Sequence, residues 1–173
     1  MSSTFKILFF KLRKSNFVVS ILLLFLLFVG FYLIWTPFYY FLFEKYDIIF
    51  MPTPNETLMK QPLYEQILLA VIIGPLIETL ICQKWMYKLL SAVKWLTKSK
   101  ISIVVIASIV FGALHCYSLT YIIYNIFIGF LFMVAYISKF YKKAYWTVAV
   151  LHGLINLFAI FFDHTEKCIF GIV

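Results

Sequence analysis

Four apolar runs, almost free of charge, constrain this chain more than any other feature: Phe17 to Phe43, Gln66 to Gln83 with a single acid at Glu78, Ile101 to Ser138, and Ala144 to Phe162. About 20 apolar residues in a helix cross the hydrocarbon layer once, since a helix satisfies its backbone polar groups internally. The third run, at 38 residues, is long enough to cross twice. The polar cluster Cys116, Tyr117, Ser118 and Thr120 divides it into helices of roughly Ile101 to Cys116 and Tyr121 to Ser138. The expected fold is therefore all-α, a polytopic transmembrane bundle of about five spans forming a single membrane domain over 1–173. A soluble domain is excluded, because 173 residues that are 64% hydrophobic and 13% charged cannot hide that much apolar surface.

The net charge of +8 suggests nucleic acid until the charges are placed. With the N-terminus inside, twelve basic residues lie on the inner side: Lys6, Lys11, Arg13, Lys14, Lys84, Lys88, Lys94, Lys98, Lys100, Lys139, Lys142 and Lys143. Only Lys45, Lys60 and Lys167 are left outside. That asymmetry predicts a cytoplasmic N-terminus by the positive-inside rule and assigns the basicity to membrane lipid, not nucleic acid. The first span follows a basic start but no small-x-small cleavage site, so it reads as a retained anchor. Three scattered cysteines make no disulfide framework. Glu44 to Pro62 reads as an outer turn region. Between spans two and three, Lys84, Lys88, Ser91, Lys94 and Lys98 share one helical face opposite Met86, Leu90, Val93 and Leu96. This predicts either a basic amphipathic interfacial helix or a solvated extension of span two. Trp35, Trp85, Trp95 and Trp146 near span ends suit interfacial anchoring. Abundant Phe, Ile, Lys and Tyr are compatible with an A/T-rich genome, and hence with a bacterial plasma membrane.

Of the seven acids, Glu78 alone lies well inside an apolar run. An ionisable group there costs several kcal/mol unless it is paired, hydrated or protonated, which marks it as a functional candidate. His115 and His152 are also in spans, and Asn156 lies one turn beyond His152 on the same face. Buried polar groups on three helices need partners, and the cheapest are one another. Gly112, Ala113 and Gly153 beside the histidines would allow close approach. Glu65 reads as a solvated end residue and His164, in the outer tail, has no assigned role.

These residues carry a resemblance. Gly-Pro-Leu-Ile-Glu-Thr-Leu-Ile-Cys-Gln, from Gly74 to Gln83, resembles the first motif of the CAAX protease and bacteriocin-processing (CPBP, or Abi) family, a Glu-Glu-x-x-x-Arg preceded by proline and apolar residues. Phe111-Gly-Ala-Leu-His115 is similar to its second motif, Phe-x-x-x-His, and His152-Gly-Leu-Ile-Asn156 to its third, His-x-x-x-Asn. The resemblance covers about Ala70 to Phe162. It implies an intramembrane glutamic protease like the type II CAAX prenyl endopeptidases, free of metal and other cofactors, acting on a peptide or membrane-protein substrate. Glu78 and His115 would activate a water, and His152 and Asn156 would stabilise the oxyanion. The chemistry suits those roles: desolvation makes a carboxylate a stronger base, and donors fixed in a low dielectric stabilise an oxyanion strongly.

Two departures stand out. The family's second Glu and its Arg are here Thr79 and Gln83, an exchange expected to replace an ion pair at i and i+4 by a neutral hydrogen-bonding pair. Depth is the other difficulty. At about 1.5 Å per residue, Glu78 lies roughly 9 Å from Lys84, His152 roughly 13 Å from Lys143 and His115 roughly 22 Å from Lys100, so a common site requires the third span to start low or tilt. The expectation is one cavity holding Glu78, His115, His152 and Asn156, open toward the inner side. Two rival readings remain open: a non-catalytic protein of the same fold, such as an immunity or assembly factor, and a zinc site built from Glu78, His115 and His152.

Overall fold

The computed structural model describes residues 3–42, 45–51, 58, 60–140 and 143–170, without the side chains of 3–6, 8, 42 and 163–170. Calls on Glu44, Pro52, Pro54, Asn55, Glu56 and Lys142, and on the side chains of Lys6, His164 and Lys167, fall outside that description. The chain is a helical bundle: α1 (Ser3–Lys14), α2 (Phe17–Leu42), α3 (Leu63–Ser91), α4 (Lys100–Leu114), α5 (Leu119–Ser138) and α6 (Ala144–Phe170). Helices α2, α3, α5 and α6 are each long and apolar enough to cross a membrane. Helix α4, with 15 residues, is the shorter member of the five and ends at the polar turn that divides the third apolar run.

Local chemistry explains the boundaries. Asn16 Oδ1 accepts the Val19 N–H at the start of α2, Ser99 Oγ accepts from the Ser102 N–H before α4, and Ser118 Oγ accepts from the Tyr121 N–H before α5. Each satisfies a donor that a helix start leaves orphaned. The basic segment after span two follows the extension reading: α3 continues over Met86–Ser91, and only a 3-10 turn, Leu96–Lys98, follows. Its buried Leu96 anchors that turn against the bundle. An amphipathic helix with basic residues does occur, but at α1, where the apolar side holds the buried Leu12. Lys139 Nζ donates to the Ser15 carbonyl just beyond its end, tying α1 to the foot of α5.

Helix α5 is central, with every residue from Leu131 to Lys139 buried. It pairs most extensively with α4, and the pairing rests on small residues. A methyl on Gly112 would stand 2.4 Å from Ile126 Cγ1 and 2.8 Å from the Ile122 carbonyl oxygen. Between membrane helices, where lipid is as apolar as leucine, such close backbone approach is a main source of adhesion. Gly112→Ala is therefore expected to destabilise the bundle by about 1–3 kcal/mol through overpacking. Thermal exposure of the buried Cys82 to a thiol-reactive dye in detergent reads that loss, and an unchanged midpoint would show that the pair separates without cost. Ala113, by contrast, is exposed and takes no part in this approach.

Candidate active site

Pro75 shapes α3 before any side chain is considered. The helix widens to the i→i+5 register over Ile67–Ile73, and its last bond there runs from the Gly74 N–H to the Leu69 carbonyl. The next carbonyl in that register, Ala70, would need the N–H of residue 75, which proline lacks. Asn156 supplies the missing donor, with Nδ2 2.7 Å from the Ala70 oxygen. Gly153, one turn earlier on α6, lets that helix press against the neighbouring Val71 carbonyl, since a Cβ there would stand only 2.7 Å from the oxygen. Tyr145 Oη donates to the Leu76 carbonyl at 2.9 Å, a contact that sequence reading did not anticipate. Helix α6 thus reads the carbonyl face that a proline and a widened helix expose, a common setting for function.

Glu78 follows one turn after Gly74. Its Oε2 lies 3.7 Å from His115 Nε2 and 3.8 Å from His152 Nε2. The side chains of Glu78, His115 and His152 are 38%, 20% and 6% exposed, so the carboxylate is open to a cavity while the second imidazole forms its wall. His115 closes α4, and its Nδ1 is 2.7 Å from the Phe111 carbonyl oxygen. A carbonyl can only accept, so Nδ1 carries the hydrogen and Nε2 points its other valence at Glu78. The Phe111 ring packs 4.5 Å from the His115 ring and the Phe132 ring 4.6 Å from that of His152, which fixes both orientations.

The depth difference between Glu78 and His115 disappears because α3 does not end near Lys84. It runs to Ser91, so Glu78 stands 13 residues, roughly 19 Å, from the helix end, close to the distance between His115 and Lys100. The expected pair of Thr79 and Gln83 is not formed. Both are buried, but neither Thr79 Oγ1 nor Gln83 Oε1 has a hydrogen-bond partner among the described residues. The reason is a second widened segment, Thr79–Trp85, which takes i and i+4 out of the alignment they share in an α-helix.

Glu78, His115, His152 and Asn156 line one cavity of about 830 Å³, with Tyr32, Trp35 and Tyr39 of α2 on its far wall. The expectation that it opens at the lysine-rich end is corrected. Its lining runs from Glu78 back to Gln61, from His152 on to Phe162, through the last part of α2 and the first part of α5. All four stretches lead to the lysine-poor end, because the other half of the bundle is filled by the tightly packed foot of α5. Among the described residues, no group of three or more His, Cys, Asp or Glu is arranged to hold a metal ion.

At the cavity mouth the Asp47 segment is clamped to the turn after His115. Asp47 accepts from the Ser118 Oγ at 2.6 Å, from the Thr120 N–H at 3.1 Å and from the Thr120 hydroxyl, while Leu119 N–H bonds the Ile48 carbonyl at 3.0 Å. Burial opposes ionisation of Asp47, but these bonds and one from the Ile48 N–H outweigh it and hold the carboxyl below its ordinary 3.8. A depressed carboxyl stabilises the fold fully above its unfolded value, and the contribution is lost as pH falls through the lower folded value. Hydrogen exchange of Leu119 and Thr120 is thus expected to accelerate as pH drops below 3.8, beyond the intrinsic change. Asp47→Asn should remove that dependence; an identical profile would show that the clamp does not depend on the charge.

A family model described as type II CAAX prenyl endopeptidase Rce1-like matches residues 60–158. No match was found among curated proteins, and none among solved structures. The matched region contains all of α3, α4 and α5 and α6 as far as Phe158, including each residue around the cavity floor. This chain, an integral membrane protein built on four long apolar helices, belongs to the type II CAAX prenyl endopeptidase Rce1-like family of membrane endopeptidases.

Proposed function

We propose that the protein is an intramembrane endopeptidase that works without a metal, using Glu78 and His115 to activate water and His152 and Asn156 to stabilise the oxyanion. One observation carries this reading: Glu78 Oε2 stands 3.7 and 3.8 Å from two imidazole Nε2 atoms and has no hydrogen-bond partner among the described residues. Those separations are too long for direct hydrogen bonds; Oε2 itself is buried, so the water to be activated meets the rest of the Glu78 side chain, which is 38% exposed and lines the cavity. Glu78 and His115 accept one proton of that water as its oxygen attacks the peptide carbonyl carbon. The negative charge passes to the carbonyl oxygen, where N–H groups of His152 and Asn156 receive it. The C–N bond then breaks, and the stored proton goes to the departing amine.

A non-catalytic reading draws on a different observation, that Asn156 and Tyr145 donate to α3 carbonyls and so hold helices together. Peptides from the membrane proteome of cells carrying the wild type or Glu78→Gln separate the two. The peptidase reading expects internal cleavage products that disappear in the variant; identical peptide sets would favour the adhesive one.

A further inference from the structure

The lysine-rich end of the bundle carries twelve basic residues and no side chain to neutralise them, because no Asp or Glu occurs between Met1 and Phe43 or between Thr79 and Phe162. Among the described residues the charge contacts are those of Glu78 with His115 and His152, at the cavity. The fold gathers part of this charge around α1. Lys14 Nζ stands 4.3 Å from the centre of the Phe10 ring, Lys100 Nζ 5.4 Å from that of Phe9 and Lys143 Nζ 5.6 Å from that of Phe17. The three lysines come from α1, the start of α4 and the turn between α5 and α6, while the rings belong to α1 and the first residue of α2. A ring quadrupole attracts an ammonium without cancelling its charge. The C-terminal carbonyls of α1 would be the other acceptors within reach, but the Ser15 carbonyl just beyond them already accepts from the buried Lys139. Lys11, Lys14, Lys100 and Lys143 are all exposed, so an anion can approach them.

The outward face of α1 says which kind of anion. Ile7 and Phe10, each 56% exposed, are three residues apart, and Lys11 and Lys14 follow four and seven residues after Ile7, so the four share one face. The other face holds Phe9, packed against the core, and the buried Leu12. Water suits the two lysines but not Ile7 and Phe10, and hydrocarbon suits the reverse. The headgroup layer accommodates both, with apolar side chains at the acyl boundary and ammonium groups at the phosphates. A soluble polyanion would leave the apolar pair in water. The depth agrees, since the exposed Trp95 and Trp146 stand five residues before Lys100 and three after Lys143, and tryptophan collects at headgroup level. We propose that α1, with Lys100 and Lys143 beside it, is a docking site for the phosphate headgroup of an anionic phospholipid. The site is separate from the cavity and does not depend on the peptidase reading.

The test is native mass spectrometry of the full chain in detergent, offered equal amounts of phosphatidylglycerol and phosphatidylcholine with the same acyl chains. The wild type should retain phosphatidylglycerol over phosphatidylcholine by at least about 10-fold, because each lysine at an anionic surface contributes about 5-fold. The combined Lys14→Gln, Lys100→Gln, Lys143→Gln variant should bring the ratio close to parity. A charge-matched variant, Lys84→Gln, Lys88→Gln, Lys94→Gln, changes exposed residues at the end of α3 and the turn after it and should keep the wild-type ratio. Equal retention of the two lipids by the wild type would overturn the proposal. Equal losses in both triple variants would overturn the site, leaving only a general attraction of a basic end. Millimolar inorganic phosphate should leave the bound phosphatidylglycerol in place; displacement would make this a site for free phosphate and overturn the lipid as its occupant. If the first triple variant is not inserted, Lys14→Gln alone should lower the ratio about 5-fold, and an unchanged ratio would remove α1 from the site.

Discussion

Glu78→Gln is expected to lower peptidase turnover by at least about 100-fold, the lower end for removing a general base. The substitution keeps the size of the side chain and its ability to face both imidazoles, but it cannot take a proton from water. The protein should remain inserted and folded, because Glu78 makes no hydrogen bond that the bundle depends on and Oε2 has no partner to lose among the described residues. Turnover of a purified preparation on a quenched peptide pool, alongside its melting midpoint, reads both quantities. A fully active Glu78→Gln protein would place the base elsewhere and make the cluster structural. The same assay in chelator settles the zinc reading: activity should persist, whereas loss on chelation and recovery with zinc would make Glu78, His115 and His152 ligands and Asn156 an outer partner.

Asn156→Ala is expected to reduce kcat by about 100-fold or more, the effect of losing one oxyanion donor, with KM much less changed. The structure gives this residue a second duty, so the prediction has two parts. One N–H of Asn156 goes to the Ala70 carbonyl, and removing it leaves a half-buried acceptor on the cavity wall unpaired, at a cost in stability of about 1 kcal/mol, the lower end for an unsatisfied group. A drop in melting midpoint with unchanged kcat would assign Asn156 to adhesion alone. A drop in both, with the remaining folded protein still slow per molecule, is the expected outcome. Thr79→Ala provides the contrast. Thr79 Oγ1 has no described hydrogen-bond partner, so its removal should alter turnover far less than either change above.

The lengths of the apolar runs decided the all-helical membrane architecture, because hydrocarbon leaves a chain few other ways to satisfy its backbone. The polar turn between α4 and α5 was legible for the same reason, as was the family from the motifs around Glu78, His115 and His152. Glu78 was also visible as an outlier, since a lone acid in an apolar run demands an explanation. What one-dimensional periodicity could not carry was the local change of helical register. Pro75 and the widened turns on either side of Gly74–Glu78 moved Thr79 and Gln83 out of the pairing that i,i+4 spacing implied, and they exposed the Ala70 carbonyl that Asn156 now satisfies. Nor could charge along the chain show where α3 stops, because Lys84 lies on a helix that continues to Ser91. Only the tertiary structure put Glu78 level with His115, clamped Asp47 to a turn some 70 residues away, and opened the cavity at the lysine-poor end. The physical reason is common to all three: depth, pairing across helices and the direction of a cavity are set by how helices of unequal length and register pack, and that information is not local in the chain.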